Sequence, residues 1–273
     1  MTIPNANGSP LFVRHFKAME NHKAAIFCLH GYAEHSGRYA KTAKFFNESG
    51  FDFFSFDHHG HGKSYGRKGL VESWELLLDD ASHVLNEIQK KHPEIEKWFL
   101  LGHSMGGAVA ALLAAEQKYE FVGMLLSAPL FDQVASNSKL TIAVGKFIAS
   151  VMPNCGIIPF DADALSRDPE VIKAYKSDPL NYNGKLKART GVQLLAMIEA
   201  LKEIPTKIHI PLWIGHSTID RLTSYKASRY YFEKMASENK TFKKYDGLFH
   251  ELMNEPEKRV VLGEMLQWIQ KRM

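Results

Sequence analysis

The feature that most constrains the fold is a series of short apolar runs that alternate with longer helical patterns. Most of these runs, such as AAIFCL at 24–29, are hydrophobic on both faces. Strands buried on both faces belong to parallel sheets that helices cover, so helical crossovers should separate the runs. The runs expected to form strands are 24–29, 51–56, 98–101, 122–127, 208–214 and 242–245, with an antiparallel edge strand at 11–17. The chain therefore predicts an α/β fold with a mostly parallel, doubly wound sheet.

The alternation is interrupted once, within 131–205. Two helical patterns, at 140–152 and 191–204, flank a polar middle that contains several Asp and Pro residues, and the strand pattern resumes after them. We therefore expect a core made of 1–130 and 206–273, with 131–205 inserted as a helical cap.

Composition and charge exclude several classes of protein. The 273 residues are 45% hydrophobic, enough for one large domain, and the net charge of +4 is spread without a basic run, so we expect no nucleic-acid partner. The two cysteines, Cys28 and Cys155, and the lack of a visible leader predict a reduced, cytoplasmic protein. The apolar stretch LTIAVGKFIASVM within 131–205 is too short to span a bilayer, and it either roofs a pocket or makes peripheral contact with a membrane or micelle.

A single hydroxyl stands between two glycines in FLLGHSMGGAVAALLAA, residues 99–115. A strand that runs directly into a helix needs a sharp turn, and Ser104 stands at its apex, where a strained left-handed conformation is expected. The strand and the helix approach closely there, which explains Gly102 and Gly106. The turn presents the hydroxyl beside a helix N-terminus that favours negative charge. The pentapeptide G-x-S-x-G also occurs by chance, so its meaning depends on the rest of the site.

A serine nucleophile needs a base and an acid, and the sequence offers them in the order Ser, acid, His. His250 lies in a loop just after the last strand-like run, where side chains gather at the carboxyl edge of the sheet. Asp220 follows the preceding run and a short loop, so we expect it to be the acid at the same edge. Asp246, close before His250, is the alternative acid.

The tetrahedral intermediate of acyl transfer carries an oxyanion that preorganised N–H groups must meet. The first donor should be the N–H of Met105, directly after the nucleophile. The second should come from the loop HGYAEHSGRY, which follows an early strand, and we expect it to be the N–H of Tyr32.

Several motifs resemble those of one family over almost the whole chain. They are HGYAEHSGRY, DHHGHGKSYG, GHSMGG, SAPL, SDPL, IDRL and HELMNEPE, and they resemble the monoacylglycerol lipase and lysophospholipase branch of the α/β-hydrolases. The resemblance implies the α/β-hydrolase fold and the same Ser104, Asp220, His250, Tyr32 and Met105. It further implies a set of residues around the polar head group of a glycerol ester: Glu34, Arg38, His103 and Tyr175.

The match is weakest in the cap, and three departures lie near the chemistry. A small residue is usual in the family where Tyr32 stands, a glycine is common at Ser217, and Thr223 stands where some relatives carry other small or reactive residues. The ring of Tyr32 is expected to narrow the alcohol side of the site. An alternative for Glu34 and Arg38, four residues apart, is a plain surface ion pair at a helix start.

Two other patterns are better explained structurally. GHGKSYG contains Gly-Lys-Ser after a strand, but a phosphate-binding loop needs a glycine where Asp57 stands. His58, His59 and His61 share one tight turn, point in different directions and do not supply a complete metal site. We therefore expect no cofactor and no metal.

These residues predict a serine ester hydrolase that acts on monoacylglycerols or similar single-chain lipid esters through an acyl-enzyme on Ser104. The expected partner is thus a small lipid ester. The alternatives are a lysophospholipase, a general carboxylesterase or an amidase that uses the same residues, and a non-catalytic binding protein of the same fold. The sequence leaves acyl-chain length and oligomeric state open.

Overall fold

One eight-stranded sheet organises the fold. The computed structural model describes residues 1–18, 24–133 and 139–273. The strands of the sheet are β1 (Thr2–Pro4), β2 (Pro10–Phe16), β3 (Ala24–Leu29), β4 (Asp52–Phe56), β5 (Lys97–His103), β6 (Phe121–Ser127), β9 (Leu212–Ser217) and β10 (Lys240–Tyr245). A separate antiparallel pair joins β7 (Gly156–Ile158) to β8 (Leu186–Lys187). The order across the sheet is β1-β2-β4-β3-β5-β6-β9-β10, and all pairs from β4 to β10 are parallel.

Helices cover both faces of this sheet. The helices that cover it are α1 (Ala40–Asn47), α2 (Trp74–Lys91), α3 (Met105–Ala115), α6 (Ala188–Leu201), α7 (Tyr225–Lys234) and α8 (Lys258–Gln270). Two further helices, α4 (Lys139–Val151) and α5 (Pro169–Ser177), lie in the segment 131–205. Successive side chains of a strand alternate between two apolar layers, so Phe27 packs with α2, α3 and α6, whereas Ile26 packs with α1 and α8. This two-sided burial confirms the predicted α/β class.

The observed strands correct the sequence prediction in two places. β9 begins at Leu212 and not at residue 208, because a 3-10 turn at Pro205–Lys207 and Pro211, which has no N–H, precede it. The antiparallel strand predicted at 11–17 is β2, but it is not the edge, since β1 pairs outside it with Ile3 opposite Leu11. The hydrophobic periodicity of the sequence also did not predict the helices α1, α5 and α8.

The segment 131–205 adds no described strand to the eight-stranded sheet. It contains α4, α5, α6 and the β7–β8 pair. α4 packs on α6, and α6 packs on α2 and α3, so the segment lies over the helix that follows Ser104. Within the described ranges, no helix is both long and apolar enough to cross a membrane.

Candidate active site

Ser104 lies on a tight turn between β5 and α3. Its φ is +52° and its ψ is −121°, a left-handed backbone that residues other than glycine rarely adopt. A Cβ on Gly106 would lie 2.1 Å from the Leu29 carbonyl oxygen, and one on Gly102 would lie 2.5 Å from the Gly106 carbonyl oxygen. The G-x-S-x-G spacing therefore follows from the close approach of α3 to β3 and β5.

Backbone hydrogen bonds anchor the Ser104 turn to the end of β6. The Ser104 N–H donates to the Ser127 carbonyl at 3.1 Å, and the Leu130 N–H donates to the Ser104 carbonyl at 2.9 Å. Although Ser104 is the N-cap residue of α3, its side chain makes no capping hydrogen bond. The hydroxyl is therefore held at a helix N-terminus without being used to stabilise the helix.

His250 and Asp220 form a buried hydrogen-bonded pair. His250 Nδ1 lies 2.7 Å from Asp220 Oδ2, and both residues are buried. They follow the carboxyl ends of β10 and β9, which are parallel neighbours, so the topology brings them together. The Ser217 hydroxyl at the end of β9 donates to the Leu248 carbonyl and ties the two loops.

Further contacts distinguish Asp220 from the alternative acid. Asp220 Oδ1 accepts the N–H groups of Leu222 at 2.8 Å and Thr223 at 3.0 Å, and the Thr223 hydroxyl lies 3.0 Å from Oδ2. The Asp246 side chain is 65% exposed and pairs with Lys244 at 2.9 Å. The geometry therefore puts Asp220, and not Asp246, beside the imidazole of His250.

The pair shifts both pKa values in directions that suit proton transfer. Burial raises the pKa of Asp220, but the charge of His250 and hydrogen bonds from His216 and His250 outweigh burial and hold that pKa far below its usual range. Burial lowers the pKa of His250, whereas the charge and hydrogen bond of Asp220 raise it, and the net direction is upward. Asp220 is thus ionised over the whole range in which His250 titrates.

A cavity of about 320 Å³ connects most of the predicted site residues. Its lining includes seven of them: Ser104, His250, Tyr32, Met105, Glu34, His103 and Tyr175. Asp220 and Arg38 lie behind this lining. The hydrogen bonds described for the His250 side chain go to Asp220 and Thr223 and not to Ser104.

The loop that carries Tyr32 is held by the segment 131–205. The Ala33 carbonyl accepts hydrogen bonds from the Tyr175 hydroxyl and from the Tyr182 N–H, both at 2.9 Å. Ala33 itself has a φ of +64°, so two donors fix a strained bend directly after Tyr32. The Tyr32 hydroxyl donates a hydrogen bond to the Gly69 carbonyl at 3.0 Å, and this bond restricts rotation of the ring.

Glu34 and Arg38 form an ion pair, but it is buried. Arg38 Nη1 lies 2.8 Å from Glu34 Oε2, and the two side chains are 10% and 5% exposed. Glu251, directly after His250, accepts from both terminal nitrogens of Arg38 at 2.5 Å and 2.8 Å. The surface-pair alternative is therefore wrong. Glu251 also lines the cavity, and its place next to His250 was the only signal for it in the sequence.

His103 adds a neutral nitrogen to the cavity wall. Burial and then the charge of His250 lower the pKa of His103 to about 4. Its Nδ1 lies 3.0 Å from the Ser127 carbonyl, which only an N–H can satisfy. Nε2 is therefore left as a hydrogen-bond acceptor.

The histidines of DHHGHG lie buried beside the Tyr32 loop. The His61 ring meets the Tyr32 ring with centroids 5.5 Å apart, and the His58 ring meets Phe56 at 4.7 Å. Within residues 1–18, 24–133 and 139–273, no group of three or more His, Cys, Asp or Glu residues is arranged to hold a metal ion.

An apolar extension of about 100 Å³ adjoins the cavity. The two spaces share Leu130, Gln133, Ile158, Leu186 and Leu194. The rest of the extension is lined from α4, α6 and β7 by Gly145, Ile157, Ala188, Gly191, Val192, Leu195 and Ile198. A linear apolar group that begins near Ser104 can therefore continue into the segment 131–205, which supplies the lining of the extension apart from Leu130.

Comparison with known proteins identifies the family. The family model described as "Serine aminopeptidase, S33" matches residues 20–257. The chain is 36% identical to the monoglyceride lipase of Rattus norvegicus over 273 residues, 99% of this chain and 90% of that protein. It is 34% identical to the monoacylglycerol lipase of Mycolicibacterium smegmatis over 247 residues, 90% of this chain and 88% of that protein. The crystal structure of Paleococcus ferrophilus monoacylglycerol lipase matches with a TM-score of 0.84 at 26% identity, covering 96% of this chain and 99% of that one. The chain therefore belongs to the monoacylglycerol lipase and lysophospholipase branch of the α/β-hydrolases and is a carboxylic ester hydrolase.

Proposed function

We propose that this protein hydrolyses monoacylglycerols through an acyl-enzyme on Ser104. The observation that carries the proposal is the buried His250–Asp220 hydrogen bond of 2.7 Å at the wall of the cavity that Ser104 also lines. A base whose orientation is fixed by an ionised acid, next to a serine on a strained turn, is the arrangement that activates a hydroxyl for acyl transfer.

The proposed reaction uses His250 first as a base and then as an acid. Its Nδ1–H faces Asp220, so Nε2 takes the proton of Ser104 as the hydroxyl oxygen attacks the ester carbonyl. The N–H groups of Tyr32 and Met105 stabilise the oxyanion, and His250 then protonates the leaving glycerol oxygen. A water molecule, deprotonated by His250, then attacks the acyl carbonyl. The bond to the Ser104 oxygen breaks as His250 returns the proton to it, and the fatty acid leaves. The Ser104–His250 hydrogen bond is expected to form with substrate bound, as such bonds often tighten only then.

The shape of the site favours one acyl chain and a small polar alcohol. The apolar extension suits a single chain, and the opposite part of the cavity presents Glu34, His103 and Tyr175 to the hydroxyl groups of glycerol. Arg38 contributes by holding Glu34 and Glu251 and not by direct contact. The relatives named monoglyceride lipase and monoacylglycerol lipase support the same substrate class.

The segment 131–205 is proposed as a cap that contacts lipid surfaces. On α4 and just after it, Phe147 is 70% exposed, Val151 64% and Met152 59%. Exposed apolar groups on a short helix suit insertion into a lipid interface. Phe147→Asp together with Val151→Asp should reduce cosedimentation with phosphatidylcholine vesicles and leave hydrolysis of soluble p-nitrophenyl butyrate unchanged.

A fluorophosphonate probe tests the proposed mechanism, because it labels only an activated serine. We expect labelling of the unaltered protein, none of Ser104→Ala, and full labelling of Ser177→Ala, which alters an exposed serine. A panel of monooleoylglycerol, lysophosphatidylcholine, p-nitrophenyl butyrate and an aryl amide then tests the substrate class. Faster turnover of lysophosphatidylcholine than of monooleoylglycerol would contradict the proposed substrate, and labelling of Ser104→Ala would contradict the nucleophile.

A further inference from the structure

A second histidine, His216, approaches the same carboxylate as His250. It belongs to β9 and has no exposed surface. Its Nε2 lies 3.2 Å from Asp220 Oδ2 and 3.3 Å from the Thr223 carbonyl oxygen. Its Nδ1 lies 2.7 Å from the hydroxyl oxygen of Ser228 on α7.

These neighbours show which nitrogen of the His216 ring faces hydrogen-bond acceptors. The oxygens near Nε2 belong to the Asp220 carboxylate, the Thr223 carbonyl and, at 3.4 Å, the Thr223 hydroxyl. The two nearer oxygens can only accept, so Nε2 carries the hydrogen and donates it. The Ser228 hydroxyl then donates to Nδ1. The result is a chain of donors that runs from α7 through His216 to Asp220 and meets His250 there.

The contacts of Asp220 divide between its two oxygens. Within the described part of the chain, Oδ1 accepts from backbone N–H groups, those of Leu222 and Thr223. Oδ2 lies near three side chains: His250 Nδ1 at 2.7 Å, the Thr223 hydroxyl at 3.0 Å and His216 Nε2 at 3.2 Å. His216 is therefore a donor to the same oxygen that orients His250.

Another buried histidine of this chain, His58, serves for comparison. His58 has no exposed surface, and neither of its ring nitrogens has a hydrogen-bond partner among the described residues. His216 is equally buried, yet both of its ring nitrogens have partners. Partners at both nitrogens fix the orientation of the His216 ring beside Asp220, whereas no hydrogen bond to a ring nitrogen fixes that of His58.

We propose that His216 is a positioning residue, which holds the Asp220 carboxylate against His250 and withdraws part of its negative charge, while Ser228 fixes the His216 tautomer. This inference rests on the proposed function, in which Asp220 and His250 act on Ser104. The other groups that face His250 are Glu251, Glu34 and His103, and Tyr225 lies beside His216. The variants below leave all of them in place.

The test compares three variants by turnover of p-nitrophenyl butyrate. His216→Leu removes the donor, His216→Gln keeps an N–H at similar reach, and His58→Leu makes the same apolar change at the unpartnered histidine. For His216→Leu we expect kcat to fall about tenfold with KM within about twofold, since only orientation of the base is lost. Without the His216 donor, Asp220 attracts the His250 proton more strongly, so the acid limb of kcat/KM should move to higher pH by about 0.5 units. His216→Gln should stay within about threefold of the unaltered kcat and keep its acid limb. His58→Leu should keep both the kcat and the acid limb of the unaltered protein.

Several results would overturn the proposal. One is that His216→Leu folds and keeps the kcat and the acid limb of the unaltered protein. Another is that His216→Gln is as slow as His216→Leu. A third is that His58→Leu shows the same shift of the acid limb as His216→Leu. If His216→Leu does not fold, as judged by circular dichroism, Ser228→Ala replaces it and should lower kcat about threefold with a shift in the same direction; no effect would again overturn the proposal. If fluorophosphonate labels Ser104 but the His216 variants keep the kcat and the acid limb of the unaltered protein, this inference alone is refuted. If the unaltered protein is not labelled, the proposed function is refuted.

Discussion

Arg38 donates hydrogen bonds from both terminal nitrogens to the carboxylate of Glu251, a residue that lies 213 positions further along the chain and directly follows His250. The same guanidinium also pairs with Glu34, which lies in the loop that carries Tyr32. One cation therefore joins the loop after β3 to the loop that carries the proposed base. Its removal is expected to affect stability before it affects chemistry.

Arg38→Ala should lower the free energy of unfolding by about 3–5 kcal/mol, because it leaves two carboxylates buried without their partner. Burial raises the pKa of Glu34, but Arg38 and nearby histidines outweigh it and bring that pKa to about 2. This contribution to stability is therefore present above the ordinary glutamate value and is lost as the pH falls towards 2. Urea unfolding at several pH values measures the difference. Lys44→Ala, in an exposed pair with Glu48, is the control and should change stability by less than about 0.5 kcal/mol.

Asp220→Asn should lower kcat by roughly 10³–10⁴-fold, because Asn cannot hold the His250 tautomer that Ser104 needs. The remaining activity should have a different pH profile. His250 acts as a base only when neutral, and Asp220 raises its pKa, so in the unaltered protein activity is lost on the acid side at a pH above the ordinary histidine value. Without that charge, burial lowers the His250 pKa and the acid limb moves to lower pH. Asp246→Asn should change neither kcat nor the profile, and an equal loss in both variants would contradict the assignment.

Gly106→Ala should destabilise the fold by at least about 3 kcal/mol, because the new Cβ would meet backbone atoms that cannot move aside. Its distance to the Leu29 carbonyl oxygen would be 2.1 Å. Gly263→Ala in α8 is the matched control, since its Cβ has no neighbour within 4 Å. That helix should gain about 0.5–1 kcal/mol from the change. Thermal unfolding of both variants decides the matter, and similar values for the two would count against the close approach of α3 to β3.

Gly191→Leu should shift the preference of the enzyme towards short acyl chains. A Cβ at this position of α6 would lie 3.6 Å from Leu186 Cδ2 and 3.8 Å from Ile157 Cδ1, ordinary distances, so the backbone accepts a side chain that fills the apolar extension. We expect the ratio of kcat/KM for monooleoylglycerol to that for monooctanoylglycerol to fall about tenfold. Gly191→Ala adds too little volume to block the extension and should keep the original ratio. An unchanged ratio in Gly191→Leu would place the acyl chain elsewhere.

The sheet could be predicted because its information is local. A run such as 24–29 is apolar at every position, and only a strand covered on both faces uses such a run. β1 escaped prediction because three residues carry no period, and its pairing with β2 depends on the turn between them. The predicted start of β9 was wrong because the apolar pattern begins at residue 208, in the loop before the strand, whereas the strand itself begins at Leu212.

The sequence predicts the location of a candidate site residue where topology alone determines that location. Ser104, Asp220 and His250 each follow the end of a parallel strand, and such ends meet at one edge of the sheet. The burial of Arg38 was not predictable, because an i, i+4 pair with Glu34 looks the same at a surface and in a core. The contact between Arg38 and Glu251 distinguishes the buried pair from a surface pair, and no spacing rule connects residues so far apart.

The carbonyl of Ala33 sets a condition on any chimaera made from this enzyme. It accepts hydrogen bonds from the Tyr175 hydroxyl and the Tyr182 N–H, both in the segment 131–205, and these two donors hold the bend directly after Tyr32. A cap grafted from another hydrolase must therefore bring the same two donors to the same point. If the N–H of Tyr32 is the proposed oxyanion donor, we expect an exchange that ignores this carbonyl to yield a protein that binds a new lipid without turning it over.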